Sequence, residues 1–125
     1  MKIFINNLFI KSFILVFILL GGCAGSPMAL EKQNSKNLLL LKPNMTIEEL
    51  IISMGTPQKT EMYRGKNNEI VMTYFYLTNG MGYVHNPENE TNYTPVIFID
   101  NRLTGWGWSQ LDTTANRYEF IIKRR

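Results

Sequence analysis

The stretch NMTIEELIISMGTP, Asn44 to Pro57, limits the fold more than any other part of the chain. Thr46 is a helix N-cap. Its hydroxyl can accept from the backbone N–H of Glu49, and the Glu49 carboxylate can reach back to the cap. Met45 and Leu50 are spaced as a hydrophobic staple. Ile47, Leu50, Ile51 and Met54 recur at i, i+3, i+4 and i+7, which makes one face apolar. Glu48 and Glu49 lie at the positive end of the helix dipole. Gly55 can take the left-handed conformation past the last turn, and Pro57 forbids continuation. A helix of about two turns cannot stand alone in water, so it must be laid on another element.

That element is a sheet. Gln58 to Arg64 alternates and ends at the turn-forming cluster Gly65-Lys66-Asn67-Asn68. Glu69 to Leu77 (EIVMTYFYL) is rich in β-branched and aromatic residues, and the two segments predict a hairpin. In Tyr74-Phe75-Tyr76, one alternating set should face the core and the other a helix or solvent. Thr94 to Asp100 (TPVIFID) is a third strand, with Pro95 tolerated at its start. Asn101-Arg102 is a tight turn, Leu103 to Trp108 a returning strand, and Tyr118 to Lys123 (YEFIIK) a last strand. Asn37 to Leu41 is a short strand or a turn of helix on the core. The fold class expected is α+β: one or two short N-terminal helices on a three- to four-stranded antiparallel sheet.

The returning strand contains Gly105-Trp106-Gly107-Trp108. Alternation puts Trp106 and Trp108 on one face and the two glycines on the other. A helix or another backbone laid over Gly105 and Gly107 would account for residues that otherwise weaken a strand. Indoles can bury roughly 150–250 Å² each, so the pair is either core or a contact surface.

Before the domain stand Lys2, Lys11 and the apolar run Phe13 to Leu20, then Leu20-Gly21-Gly22-Cys23. This is the order of a secretory signal, and the run is shorter than the roughly 20 residues a membrane helix needs. Cys23 is the only cysteine, so no intramolecular disulfide can form. A lone cysteine directly after Leu-Gly-Gly resembles the bacterial lipoprotein signal. The resemblance implies acylation of Cys23, residues 1–22 as the removed signal, and Ala24 as a mark of the outer membrane. Gly25 to Lys36 is polar and contains Pro27. Residues 23–37 are therefore expected to be a lipidated tether, and 38–125 the periplasmic domain. Lys2 and Lys11 supply two of the +3 formal charge, so the basic balance is no argument for nucleic acid. The closing Lys123-Arg124-Arg125 is a local basic patch that reads as a solvated terminus.

Two segments together carry a family resemblance. LKPNMTIEELIISMGTP looks like the opening motif of the small outer-membrane lipoproteins called SmpA/OmlA, or BamE, and TPVIFIDNRLTGWGW is similar to the strand–turn–strand of related lipoprotein families. Asn44 replaces the family's usual glycine, a position where Asn also accepts left-handed geometry, and Met54 its usual leucine. The resemblance implies a small α/β sandwich facing the periplasm, accessory to β-barrel assembly or envelope integrity.

Residues for chemistry are few. His85 is the single histidine, and no spacing joins it to Glu88 and Glu90 as a metal site. Ser53 and Ser109 lack a base or a nucleophile elbow. No cofactor, metal or enzyme activity is expected. Thr78 to Tyr93 is long for a connection in a small domain and carries Met81, Tyr83, His85 and Tyr93. With Trp106 and Trp108 these are the candidate partner-binding residues. Thr46, Glu49 and Gly55 are structural. Two readings stand: a lipid-anchored interaction module of the outer membrane, or an inhibitor-type or ligand-binding lipoprotein using the 78–93 loop, as in the similarly built β-lactamase inhibitor proteins.

Overall fold

The computed structural model describes residues 26–79 and 89–124. The signal segment, Cys23, and the candidate residues Met81, Tyr83 and His85 lie outside the described residues.

Four strands form one antiparallel sheet in chain order: β1 (Lys59–Arg64), β2 (Ile70–Leu77), β3 (Tyr93–Ile99) and β4 (Arg102–Trp106). Helices α1 (Pro27–Asn37) and α2 (Ile47–Met54) cover one face. Helix α3 (Trp108–Tyr118) covers the other. The α+β class and the antiparallel sheet agree with the expectation; the third layer was not foreseen.

Helix α2 forms as its sequence dictates. Thr46 Oγ1 accepts from Glu49 N at 3.3 Å, and Thr46 N donates to Glu49 Oε2 at 2.8 Å. Leu50 and Met54 are buried, and Ile47 packs beside them. Gly55 has φ +75° and donates its N–H to Ile51 O, which closes the last turn. Asn44 takes the left-handed backbone (φ +65°) expected of it. Its N–H donates to Leu103 O, and Leu103 N donates to Met45 O. The chain before α2 thereby satisfies part of the β4 edge.

The polar segment expected to be a tether is helical from Pro27 onward, which corrects that reading. Pro27 occupies the first turn, where its missing N–H costs nothing, and Ser26 Oγ accepts from Ala29 N. The helix is held less by apolar area than by one buried amide. Asn34 Nδ2 donates to Leu77 O at 2.9 Å, and Gln58 Oε1 accepts from Leu77 N at 2.7 Å. These bonds finish the open end of β2. After α1 comes a single 3-10 turn, Leu38–Leu40, one of the two forms foreseen for that run.

Two helical layers explain why β2 and β3 read as nearly continuous apolar runs. Tyr74 and Tyr76 turn toward α2 together with Val96, Phe98 and Leu103, while Phe75, Val71 and Ile97 turn toward Leu111 of α3. Pro95 sits inside β3 rather than at its start. Its register partner Phe75 turns its carbonyl to Gln58 N on the β1 side, so β2 asks no N–H of Pro95. The β3–β4 turn is Asp100-Asn101, both at positive φ (50° and 63°), one residue earlier than expected. This is the pattern of a two-residue hairpin with both central residues left-handed.

The region from Trp106 onward departs most from the expectation. β4 ends at Trp106, and Gly107 (φ +97°) turns the chain into α3. Trp106 and Trp108 consequently do not share a face. Trp106 pairs with Val96 on the α1/α2 side, whereas Trp108 begins α3 and packs on Phe75. A helix does cross Gly105: a Cβ there would meet Gln110 Cγ at 2.8 Å. Gly107 serves the backbone turn instead. The strand expected over Tyr118 to Lys123 is absent. Tyr118 closes α3, Glu119 is left-handed (φ +54°), and Phe120 and Ile122 of the following tail pack against the α3-side core. The helix end is pinned to the β1–β2 turn, where Lys66 N donates to Tyr118 O at 2.9 Å.

Candidate interaction surface

The α1/α2 layer buries one side of each element and leaves large apolar side chains on the other. Leu39 is 84% exposed and Ile52 is 85% exposed. Leu40 and Ile51 are exposed beside them in the chain. Both edge strands add to the same side of the sheet. Met62, opposite Met72 on β1, is 59% exposed, and Trp106, opposite Val96 on β4, is 39% exposed. On the α3 side, among the described residues, only Ile121 is an exposed large apolar side chain. Single exposed apolar residues are ordinary; these are gathered on one layer, which makes that side the candidate contact surface.

On the α3 side the sheet carries polar groups instead. Lys59, Glu61 and Tyr63 alternate along β1 toward that face. Lys59 Nζ lies 2.7 Å from Glu61 Oε1 and 3.8 Å from Glu90 Oε1, and 4.8 Å over the Phe75 ring. The Tyr63 hydroxyl donates to Glu61 Oε2. Burial raises the Tyr63 pKa, and the hydrogen bond and charge of Glu61, with the charge of Glu90, raise it further. Tyr63 therefore stays a neutral donor. Thr73, opposite Glu61 on β2, is buried with no hydrogen-bond partner for its hydroxyl among the described residues. The arrangement ties β1 to the chain entering β3. Lys59, Glu61, Glu90 and Tyr63 are each engaged by a neighbour in this cluster.

The expected partner-binding residues separate on inspection. Trp106 is an accessible ring. Trp108 is a packing residue: its ring centroid is 5.8 Å from that of Phe75, its Nε1 donates to Tyr93 O at 2.9 Å, and the Arg124 guanidinium lies 5.6 Å over it. Tyr93 is half-buried against the same core, which makes it a strut for α3. Thr46, Glu49 and Gly55 hold the structural roles expected of them. Sequence reasoning missed Ile52, Leu39 and Met62. Ile52 had a usable signal, because it is an isoleucine off the i, i+3, i+4, i+7 face of a short helix.

Among the described residues no three His, Cys, Asp or Glu side chains converge as metal ligands. Among them, too, no helix is long and apolar enough to cross a membrane. No curated protein and no solved structure matches the chain. Residues 28–113 match the model of a family described as "Protein of unknown function (DUF3192)". The match runs from α1 into α3 and spans well over half of the 125 residues, so the chain belongs to that family.

Proposed function

We propose that this chain is a lipid-anchored interaction module, held on the periplasmic side of the outer membrane through Cys23 and accessory to β-barrel assembly or envelope integrity. The observation that carries the reading is the one-sided exposure of Ile52, Ile51, Met62 and Trp106 around α2. A capped and well-packed helix that presents isoleucines outward, with an indole and a methionine on the flanking edge strands, has the make-up of an interface core. The lipoprotein-like Leu20-Gly21-Gly22-Cys23 and the SmpA/OmlA-like opening motif support the membrane and the assembly parts of the reading. The module acts by binding rather than catalysis. In support, the titratable side chains that cluster on β1 are tied to one another. Protein, not nucleic acid, is the partner, because the charge of the processed chain is nearly balanced.

The test is a mild-detergent pull-down of the tagged, lipidated protein from crosslinked membranes, with partners identified by mass spectrometry. Enrichment of barrel-assembly components, lost in Ile52→Ser and kept in Asn116→Ser on α3, is the expected result. A partner set that is unchanged by Ile52→Ser, or that holds only a soluble periplasmic enzyme, contradicts it.

A further inference from the structure

We infer that the outer side of α1 lies along an anionic lipid surface and orients the domain on the membrane. This rests on the reading of Cys23 as the lipidated residue. Only three residues separate Cys23 from Pro27, where α1 begins. Whatever path they take, covalent geometry keeps the start of α1 within about 14 Å of the acylated residue. A long tether would free the domain from its anchor; a helix starting this close cannot avoid the headgroup region.

The residues that α1 turns outward suit that environment. Met28, Lys32 and Lys36 follow at i, i+4 and i+8, and all three are exposed. Leu38 keeps helical backbone angles (φ −54°, ψ −30°), so the spiral runs on into the next turn. Leu39 then falls eleven residues after Met28, a spacing that returns to nearly the same side of a helix. The stripe thus reads Met28, Lys32, Lys36, Leu39, with Leu40 exposed at its flank. Exposed lysines this close to a lipid anchor are drawn to negative headgroups, and the exposed Met28 and Leu39 can enter the interface beside them. The one acidic residue of α1, Glu31, lies at the edge of this stripe nearer the sheet. It is half-buried, and its Oε2 is shut off from solvent. Asn34 on the inner side bonds the sheet, which fixes the rotation of the helix about its axis. The lipid on Cys23 restrains position; the stripe supplies a second contact that also fixes direction.

The experiment uses the full lipidated protein in vesicles of phosphatidylcholine mixed with phosphatidylserine. Acylation consumes the Cys23 thiol, so Leu39→Cys or Asn116→Cys provides a single thiol for a bimane label. Fluorescence is read against lipids carrying a nitroxide in the headgroup, and the mass of the protein is measured on the same samples. The expected result is loss of most emission at position 39, little loss at position 116, and recovery at position 39 when Lys32→Glu and Lys36→Glu are combined. An acylated protein with equal emission at both positions overturns the orientation and leaves the anchor standing. An unmodified Cys23 overturns the anchor and the orientation together. Shielding of position 39 only after addition of envelope proteins overturns the lipid contact in favour of a protein occupant.

Discussion

On one face of the sheet, Tyr74, Tyr76, Val96, Phe98 and Leu103 meet Leu50 and Met54 of α2; on the other, Val71, Phe75 and Ile97 meet Leu111 of α3. The two cores are built from the same apolar residue classes, and both hold fully buried side chains. Their outer surfaces differ. The α1/α2 layer shows Leu39, Ile52 and Trp106 to solvent, whereas the α3 side shows ion pairs such as Lys59–Glu61 and Arg124–Asp112. Burial within the domain therefore does not explain the outward apolar residues. Trp106 and Trp108 condense the contrast. They stand two residues apart, yet one is a surface ring and the other is wedged between Phe75 and Arg124.

The comparison can be broken first at its cores. Phe98→Ala should cost about 3–5 kcal/mol of unfolding free energy, and Leu111→Ala about 2–5 kcal/mol. Urea denaturation measures both. A small loss at Leu111 alone would make α3 a loosely docked element rather than an equal layer. The tryptophans sharpen the contrast. Trp108→Ala is expected to cost about 3 kcal/mol, near the low end for a large ring, because it is not fully enclosed. Trp106→Ala should cost less than about 1 kcal/mol. A reversed order would place the contact surface on the wrong ring.

Next in size is a pH effect carried by buried tyrosines on both faces of the sheet. Burial, with Tyr74 nearby, pushes the Tyr76 hydroxyl up to about 12. The unfolded chain releases that proton at lower pH than the folded one, so stability is intact below pH about 10 and falls as pH rises from there toward 12. Tyr76→Phe removes the bond from Tyr76 Oη to Gly55 O, costs about 1 kcal/mol at neutral pH, and should flatten the decline. Tyr63 keeps its proton to still higher pH and adds to the same fall from the α3 side. Thr46→Ala, which opens the capping box of α2, should cost about 1 kcal/mol by thermal melting. Smallest of all in stability is Ile52→Ser, whose side chain touches mostly water. Its melting temperature should stay near that of the parent while partner capture is lost.

What was legible in the sequence follows from where local signals are strong. The capping box, the left-handed Asn44 and the aromatic-rich strands each act within a few residues, and all were read correctly as to kind. Helix α3 was missed because its inward positions, Leu111, Thr114 and Ala115, include only one large apolar residue. Small residues suffice there because the helix lies close over Gly105. The tail YEFIIK reads as a strand by composition, yet the sheet ends at β4 and the β1 edge offers it no pairing in the structure described. The supposed tether hid a helix for a different reason. Its anchor is Asn34, a residue that signals linkers and turns in a sequence, and here it is buried by a long-range bond to Leu77. The candidate surface was half legible. Trp106 stood out as an aromatic residue, but separating it from Trp108 required knowing that Gly107 ends the strand.

The most direct test of the central claim, that the α2 side is the partner surface, is site-specific photocrosslinking in intact cells. A photoreactive residue is placed at position 52 on α2 and, separately, at position 116 on α3. A discrete protein adduct at position 52 and none at position 116 is the result predicted here. Adducts at position 116 with none at position 52, or equal labelling at both, would contradict the account.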